Sequence, residues 1–237
     1  IRIPTGDVQR KALNIHNAIN ITDEFMTAVM ENKPFDLVDP NDKSVKETVS
    51  ARKLWERILE IRFRTGEPYL NFIDTANRHL PQPLKDKGLK IHGSNLCNEI
   101  HLPTSAERTA VCCLSSLNLE YYDEWKDTTI VRDLVRMLDN VLEYFIQKAP
   151  DTISRAKYSA MRERSVGLGV MGLHSYFQQK NIPFGSVMSK VWNKKIFQNI
   201  QEKVDEASKT QQTPREKSGE QWVQLPLCSE LLFCFLL

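Results

Sequence analysis

The sequence predicts an α/β chain, because two different hydrophobic periods and frequent turn residues share it. Leu13, Ile15, Asn17, Ile19 and Ile21 fall on one parity, four of them apolar, the pattern of a strand with one buried face. Val131, Leu134, Leu138, Val141, Leu142 and Phe145 instead recur at helical spacing and predict a helix over 130–145. Gly66, Pro81 and Pro83 punctuate the stretch between them.

The elements follow in order. Thr22-Asp23 can cap a short helix with Phe25, Met26, Val29 and Met30 inward. Asp39-Pro40-Asn41-Asp42 marks residues 34–44 as loop. Residues 49–64 read as an amphipathic helix on Leu54, Ile58 and Ile61, with Gly66 just past its end. Residues 69–73 read as a short buried strand, 95–102 as an alternating segment and 110–119 as a second β-like run. Residues 165–179 read as helical despite Gly167, Gly169 and Gly172, a density that means close backbone packing or a ligand's approach. Residues 186–209 read as a long helix with Val187, Val191, Phe197, Ile200 and Val204 inward.

Composition narrows the function classes. The 32 Lys+Arg against 30 Asp+Glu leave a net charge of +2, which argues against a nucleic-acid footprint. No apolar run is long enough to span a bilayer, so no membrane role is expected. Cys97, Cys112, Cys113, Cys228 and Cys234 make an odd count without zinc spacing, in a chain with no secretory leader. That points to a reducing cytoplasm and away from a structural metal. A first residue other than Met suggests that the chain starts mid-protein.

Chemistry concentrates in Ser94-Asn95-Leu96-Cys97-Asn98-Glu99-Ile100. If this segment is extended, Asn95, Cys97 and Glu99 share one side, offering an amide, a thiol and a carboxylate together. The plain alternative is a half-buried strand with incidental polar residues. Cys112 and Cys113 are adjacent, so they resist pairing with each other and would face opposite sides of a strand. Two small buried side chains explain them equally well. No histidine belongs to a ligand pair; His101 shares the parity of Glu99, but an ordinary surface or core histidine explains it. Gly167-Leu168-Gly169-Val170-Met171-Gly172 has GxGxxG spacing, yet it follows a charged stretch, which discounts a dinucleotide loop.

The segment 94–100, continued by Leu102-Pro103-Thr104, resembles the finger loop of class I ribonucleotide reductase large subunits. Residues 111–119, 164–172 and 20–26 resemble three further segments of that family, in the family's order. The wording is most similar to the enzymes of T4-like bacteriophages. The resemblance implies part of a ten-stranded α/β barrel over residues 1–210, and reduction of ribonucleoside diphosphates. It implies that Cys97 carries a transient thiyl radical, that Glu99 is the general base, that Asn95 orients the substrate hydroxyls and that Ser94 lies in the substrate site. Cys112 would be one of two cysteines that end as a disulfide, set near Cys97 across a substrate-sized gap; Cys113 receives no role.

The same resemblance implies that no cofactor binds this stretch directly. A separate small subunit with a di-iron tyrosyl centre would supply the radical, and thioredoxin or glutaredoxin the electrons. ATP and deoxynucleotides would act as effectors of a whole enzyme whose large subunit is a homodimer, in the host cytoplasm if phage-encoded. No cysteine precedes Cys97, so the expected partner of Cys112 is not in this sequence. From Gln211 the resemblance stops, and residues 211–237 read as a turn-like polar stretch and an unrelated, loosely packed tail, as after a frameshift or in a split gene. Two rivals stand beside this reading: a cobalamin-dependent reductase on the same barrel, and an inactive fragment that works only with a companion chain.

Overall fold

A computed structural model describes residues 15–216. The tail at 217–237, with Cys228 and Cys234, lies outside the described residues, as does Leu13. The chain divides into two compact units. One comprises the residues up to Leu80 with Gly88–Pro103; the other comprises Pro81–Lys87 and the chain from Thr104 on.

The first unit runs β1 (Ala18–Ile21), α1 (Asp23–Met30), β2 (Pro34–Val38), β3 (Val45–Ser50), α2 (Ala51–Thr65), β4 (Tyr69–Phe72) and α3 (Ile73–Arg78). β1 and β4 pair in parallel with Asn20 opposite Asn71, so the intervening elements form the crossover that parallel strands require. Thr22 caps α1 by accepting from the Phe25 amide at 3.1 Å, as expected. Ser50 caps α2 by accepting from the Lys53 amide, and Gly66 closes that helix in the left-handed region at φ 77°. Ile21, Phe25, Ala28, Val29 and Ala51 form the core, with Phe25 set edge-on to Phe35 and Trp55.

Two expectations fail in this unit. Met30 is exposed and Ala28 takes the inward place, because the short helix has turned away from the core by its last residue. Of residues 34–44 only the 39–44 stretch is loop; Pro34–Val38 and Val45–Ser50 pair as an antiparallel hairpin. Its turn is built from Asp39 and Asp42, whose carboxylates accept from the Asn41 and Ser44 amides at 2.8 Å. Both strands are largely exposed, so no buried face marked them in the sequence.

The second unit contains α4 (Gln82–Lys85), β5 (Cys113–Asn118), α5 (Tyr122–Trp125), α6 (Ile130–Lys148), α7 (Ser154–Glu163), β6 (Val166–Met171), α8 (Leu173–Gln179) and α9 (Val187–Glu216). Its core joins Leu117, Leu119, Val131, Val135, Leu168, Phe177, Ile196, Ile200 and Val204. Leu138 and Leu142 are buried as expected, but Val141 is exposed and Val135 buried, since the inward stripe of α6 is narrower than the sequence suggests. On α9 the buried apolar positions are Ile196, Ile200, Val204 and Ala207, whereas Val187 and Val191 are exposed near its start. α9 also continues to Glu216, into the polar stretch read as a turn and across Pro214, which costs the helix one backbone donor.

The glycine-rich segment is a correction as well: Val166–Met171 is a strand, parallel to β5, and only the residues from Leu173 are helical. The glycines explain the pairing. A side chain at Gly167 would meet Leu114 Cδ2 at 2.4 Å, at Gly169 Ser116 Oγ at 3.4 Å, and at Gly172 Asn118 Oδ1 at 2.4 Å. The glycine face of β6 therefore leaves room for one face of β5. Gly167 and Gly169 lie inside the strand rather than in the turn that leads to the helix, which removes the phosphate-loop geometry. Gly172 is also at φ 77° with the Glu120 backbone nitrogen 3.0 Å from a would-be Cβ, so neither backbone nor neighbour can yield cheaply. Gly172→Ala is expected to destabilise the second unit by about 2 kcal/mol, by strain and close contact. Gly185→Ala, with nothing within 4 Å, should stay within about 0.5 kcal/mol of the parent in the same urea titration.

Candidate active site

The segment 94–100 is not extended. It folds into a tight turn in which the Asn95 amide donates to the Ile100 carbonyl at 3.2 Å and the Asn98 amide to the Asn95 carbonyl at 3.2 Å. Asn98 takes the left-handed region at φ 67°, a conformation that asparagine tolerates better than most residues. Alternation misled here because Asn95, whose side chain closes the turn, has the same parity as Cys97 and Glu99 and so mimics the polar face of a strand.

Asn95 organises the turn. Its Oδ1 accepts from the Glu99 amide at 3.1 Å and the Ile100 amide at 3.0 Å, while its Nδ2 donates to Glu99 Oε1 at 2.5 Å. The expected grouping of Asn95 with Glu99 therefore exists, made by chain reversal. Glu99 Oε2 is buried and has no hydrogen-bond partner. One oxygen of the carboxylate is thus held in place and the other is left to accept a proton. Cys97 stands in the turn itself, exposed and as a free thiol. Ser94 is half-buried and donates through Oγ to the Asn95 carbonyl at 3.1 Å. A depression of about 330 Å³ lies against this side of the turn, lined by His16, Asn17, Asn20, Ser94, Asn95 and Leu96 among others.

Beneath the turn lies a polar set that the sequence reading missed. His101 Nε2 is 2.7 Å from Asn71 Oδ1, and Asn71 Nδ2 donates to Asn20 Oδ1 at 2.7 Å. Burial pushes the His101 ring's pKa down, while the charge of Glu99 opposes that shift. The available signal was Asn71 itself: an amide inside the short apolar strand Tyr69–Phe72, 2% exposed, must find partners. Asn98 Nδ2 reaches the Leu70 carbonyl at 3.5 Å, and the Asn77 side chain bonds both the amide and the carbonyl of Ile91 at 2.9 Å.

Cys112 belongs to the second unit, just before β5, half-buried, with Sγ 3.7 Å from the Cys113 carbonyl oxygen. A side chain on Gly167 would lie 3.7 Å from that sulfur, so the glycine keeps one approach to it clear. Burial pushes the Cys113 thiol's pKa up, which makes it the less reactive form at neutral pH. Next to the entry of β6, Arg164 is buried between α6 carboxylates: it reaches Asp139 at 2.6 Å and Glu143 at 2.7 Å. Arg108 pairs with the buried Glu163 at 2.7 Å, and burial still outweighs the arginine in pushing the Glu163 pKa up. Among the described residues no group of three or more His, Cys, Asp or Glu comes together to hold a metal ion. No helix of the described residues is long and apolar enough to cross a membrane.

Comparison with known proteins gives a consistent result. A family model described as the ribonucleotide reductase barrel domain matches residues 1–211. A Frog virus 3 (isolate Goorha) protein named as a ribonucleoside-diphosphate reductase large subunit is 64% identical over 189 residues, covering 78% of this chain. The ribonucleoside-diphosphate reductase large subunit of Invertebrate iridescent virus 3 is 40% identical over 250 residues, covering 82%. Among solved structures, the class Id ribonucleotide reductase alpha subunit of Actinobacillus ureae matches 94% of this chain with a TM-score of 0.73 and 36% identity. The chain spans 34%, 40% and 40% of the lengths of these three proteins.

Removing the Asn95 side chain tests the turn. Asn95→Ala deletes its three hydrogen bonds and should raise amide exchange at Glu99 and Ile100 by at least about tenfold, the equivalent of ~1.4 kcal/mol. Exchange in α6 should not change, and mass spectrometry of the peptides reads both.

Proposed function

Since this chain belongs to the ribonucleotide reductase large-subunit family, we propose that it supplies the thiyl-radical turn and one redox cysteine for reduction of ribonucleoside diphosphates to deoxyribonucleoside diphosphates. The observation that carries this reading is the Asn95–Glu99 pair beside Cys97: one carboxylate oxygen is fixed at 2.5 Å, the other is buried and unpartnered, and a free thiol stands two residues away.

In this reading the Cys97 sulfur, as a thiyl radical, takes the 3′ hydrogen atom of the ribose and later returns it. The S–H bond formed is close in strength to the activated C–H bond broken, so the step can run both ways. Glu99 Oε2 accepts the 3′-hydroxyl proton, a general-base role. Asn95 holds Glu99 through Nδ2 and helps to orient the substrate hydroxyls, with Ser94 lining the same depression. Cys112 gives reducing equivalents as the 2′-hydroxyl leaves as water, ending in a disulfide with a cysteine supplied from elsewhere in the assembly.

The family further suggests the partners: a small subunit whose di-iron tyrosyl centre generates the radical, thioredoxin or glutaredoxin as reductant, a large-subunit homodimer, and ATP or deoxynucleotide effectors. A cytoplasmic setting fits this chemistry, in the host's cytoplasm if the gene is viral. In the 237-residue sequence no cysteine precedes Cys97, and the chain spans about a third of its Frog virus 3 relative. A complete reaction is therefore proposed only for an assembly that adds the remaining segments, whether on one polypeptide or on a companion chain.

Three expectations follow. The purified 237-residue chain alone should show no sustained turnover of a nucleoside diphosphate; steady product formation would contradict the assigned disulfide step. In a completed assembly, Cys97→Ser should abolish reduction while leaving nucleotide binding within about twofold, because the hydroxyl keeps size and hydrogen bonding but its O–H bond is too strong for the shuttle. Glu99→Gln should lower kcat by about 10²–10⁴-fold, the usual worth of a general base, and leave the fold intact. Near-parental kcat in Cys97→Ser would remove the radical assignment.

A further inference from the structure

The turn that carries Cys97 and Glu99 has two feet, and a single line of side-chain hydrogen bonds connects them. It starts on His101, just after the turn: Nε2 bonds Asn71 Oδ1 at 2.7 Å. It continues from Asn71 Nδ2 to Asn20 Oδ1 at 2.7 Å. It ends where Asn20 Nδ2 donates to the carbonyl of His92, just before the turn, at 3.0 Å. Asn20 and Asn71 are directly opposite in the parallel β1–β4 ladder, so the line crosses the sheet between the feet.

The direction of this line is set by its end. A backbone carbonyl only accepts, so Asn20 must present Nδ2 to it and Oδ1 to Asn71. Asn71 must then present Nδ2 to Asn20 and Oδ1 outward. His101 is left one role, donation from a protonated Nε2. No member can be reversed alone without setting donor against donor or acceptor against acceptor. Asn71 is 2% exposed, so an amide oxygen left unmet there keeps its full desolvation cost. Burial also favours the neutral ring, which in this tautomer has a bare Nδ1.

We propose that His101 is a positioning residue: a donor locked in the Nε2–H form that, through Asn71 and Asn20, clamps both feet of the turn and so sets where Glu99 and Cys97 stand. Its functional meaning rests on the reductase reading above; the clamp itself does not.

The test uses the whole 237-residue chain and no turnover. Nitrogen NMR of the imidazole should find His101 neutral, protonated on Nε2 and bare on Nδ1, with the Nε2 proton protected from exchange. His101→Leu keeps the bulk and removes the donor. It should raise amide exchange across 95–100 by about tenfold, the loss of one hydrogen bond, and change the iodoacetamide reactivity of Cys97 relative to the parent. His101→Gln places an amide donor at about the same reach and should return both readouts to within about twofold of the parent. An Nδ1–H tautomer, a His101→Leu turn identical to the parent's, or a glutamine variant no better than leucine would each overturn the proposal. If the leucine variant fails to fold, the tautomer of the parent and the glutamine variant still decide. Loss of the radical assignment in the Cys97→Ser test would leave these outcomes unchanged, so the two ideas fail separately.

Discussion

The first unit depends on one amide pair, in which the buried Asn71 is met by an exposed Asn20. Asn20 and Asn71 face each other across a parallel ladder, and the position of Asn71 is one that otherwise calls for an apolar side chain. A polar pair there is tolerable only when each group is met. Meeting them fixes several things together: the register of β1 on β4, since a slip of one residue would leave the buried Asn71 amide unmatched, and the paths of the chain at His92 and His101. The turn between those residues inherits its position from the sheet. Asn95 then needs only short-range bonds to bring Glu99 beside it.

The second unit solves a similar problem with charge. Arg164, at φ 43°, stands where α7 gives way to β6, and its guanidinium is bonded to Asp139 and Glu143 of α6. Arg108 meets Glu163 one residue earlier. These buried pairs orient the entry of the glycine strand that runs beside β5. The difference between the units fits what each holds. A carboxylate with the general-base role proposed for Glu99 is sensitive to any fixed charge nearby, and amides anchor its turn without adding one. A strand entry has no such restriction, and multiply bonded guanidinium groups fix it firmly.

Legibility in the sequence followed the length and burial of each element. α6 and α2 were visible because their apolar positions repeat over several turns and are buried as the period says, Leu138, Leu142, Ile58 and Ile61 among them. The β2–β3 hairpin was invisible because exposed strands have no buried parity. β6 was mistaken for helix because its glycines, at 167 and 169, carry no side chain from which a period could be read; only the partner strand reveals that they clear Leu114 and Ser116. At the site, Asn95, Cys97 and Glu99 were found as a set, but their geometry was not, since a turn closed by asparagine mimics alternation. The link from His101 to Asn71 spans 30 residues and depends on a strand pairing that no local pattern encodes.

Every hydrogen-bond partner identified for the turn comes from its own unit, so the presentation of Cys97 and Glu99 is a local property of β1, β4 and the 92–101 segment. Protection of the sulfur is a different matter. Cys97 is exposed, as is its neighbour Leu96 at 65%. A thiol can operate in contact with water, but a thiyl radical survives only where solvent and other donors are kept away. The first unit thus contains the means to aim the thiol, and the radical role proposed for Cys97 requires enclosure as well. Aiming needs a rigid platform and fixed hydrogen bonds, which a short parallel ladder with the buried Asn71 amide provides. Enclosing needs surface contributed from several directions, which in the proposed reading falls to the completed assembly.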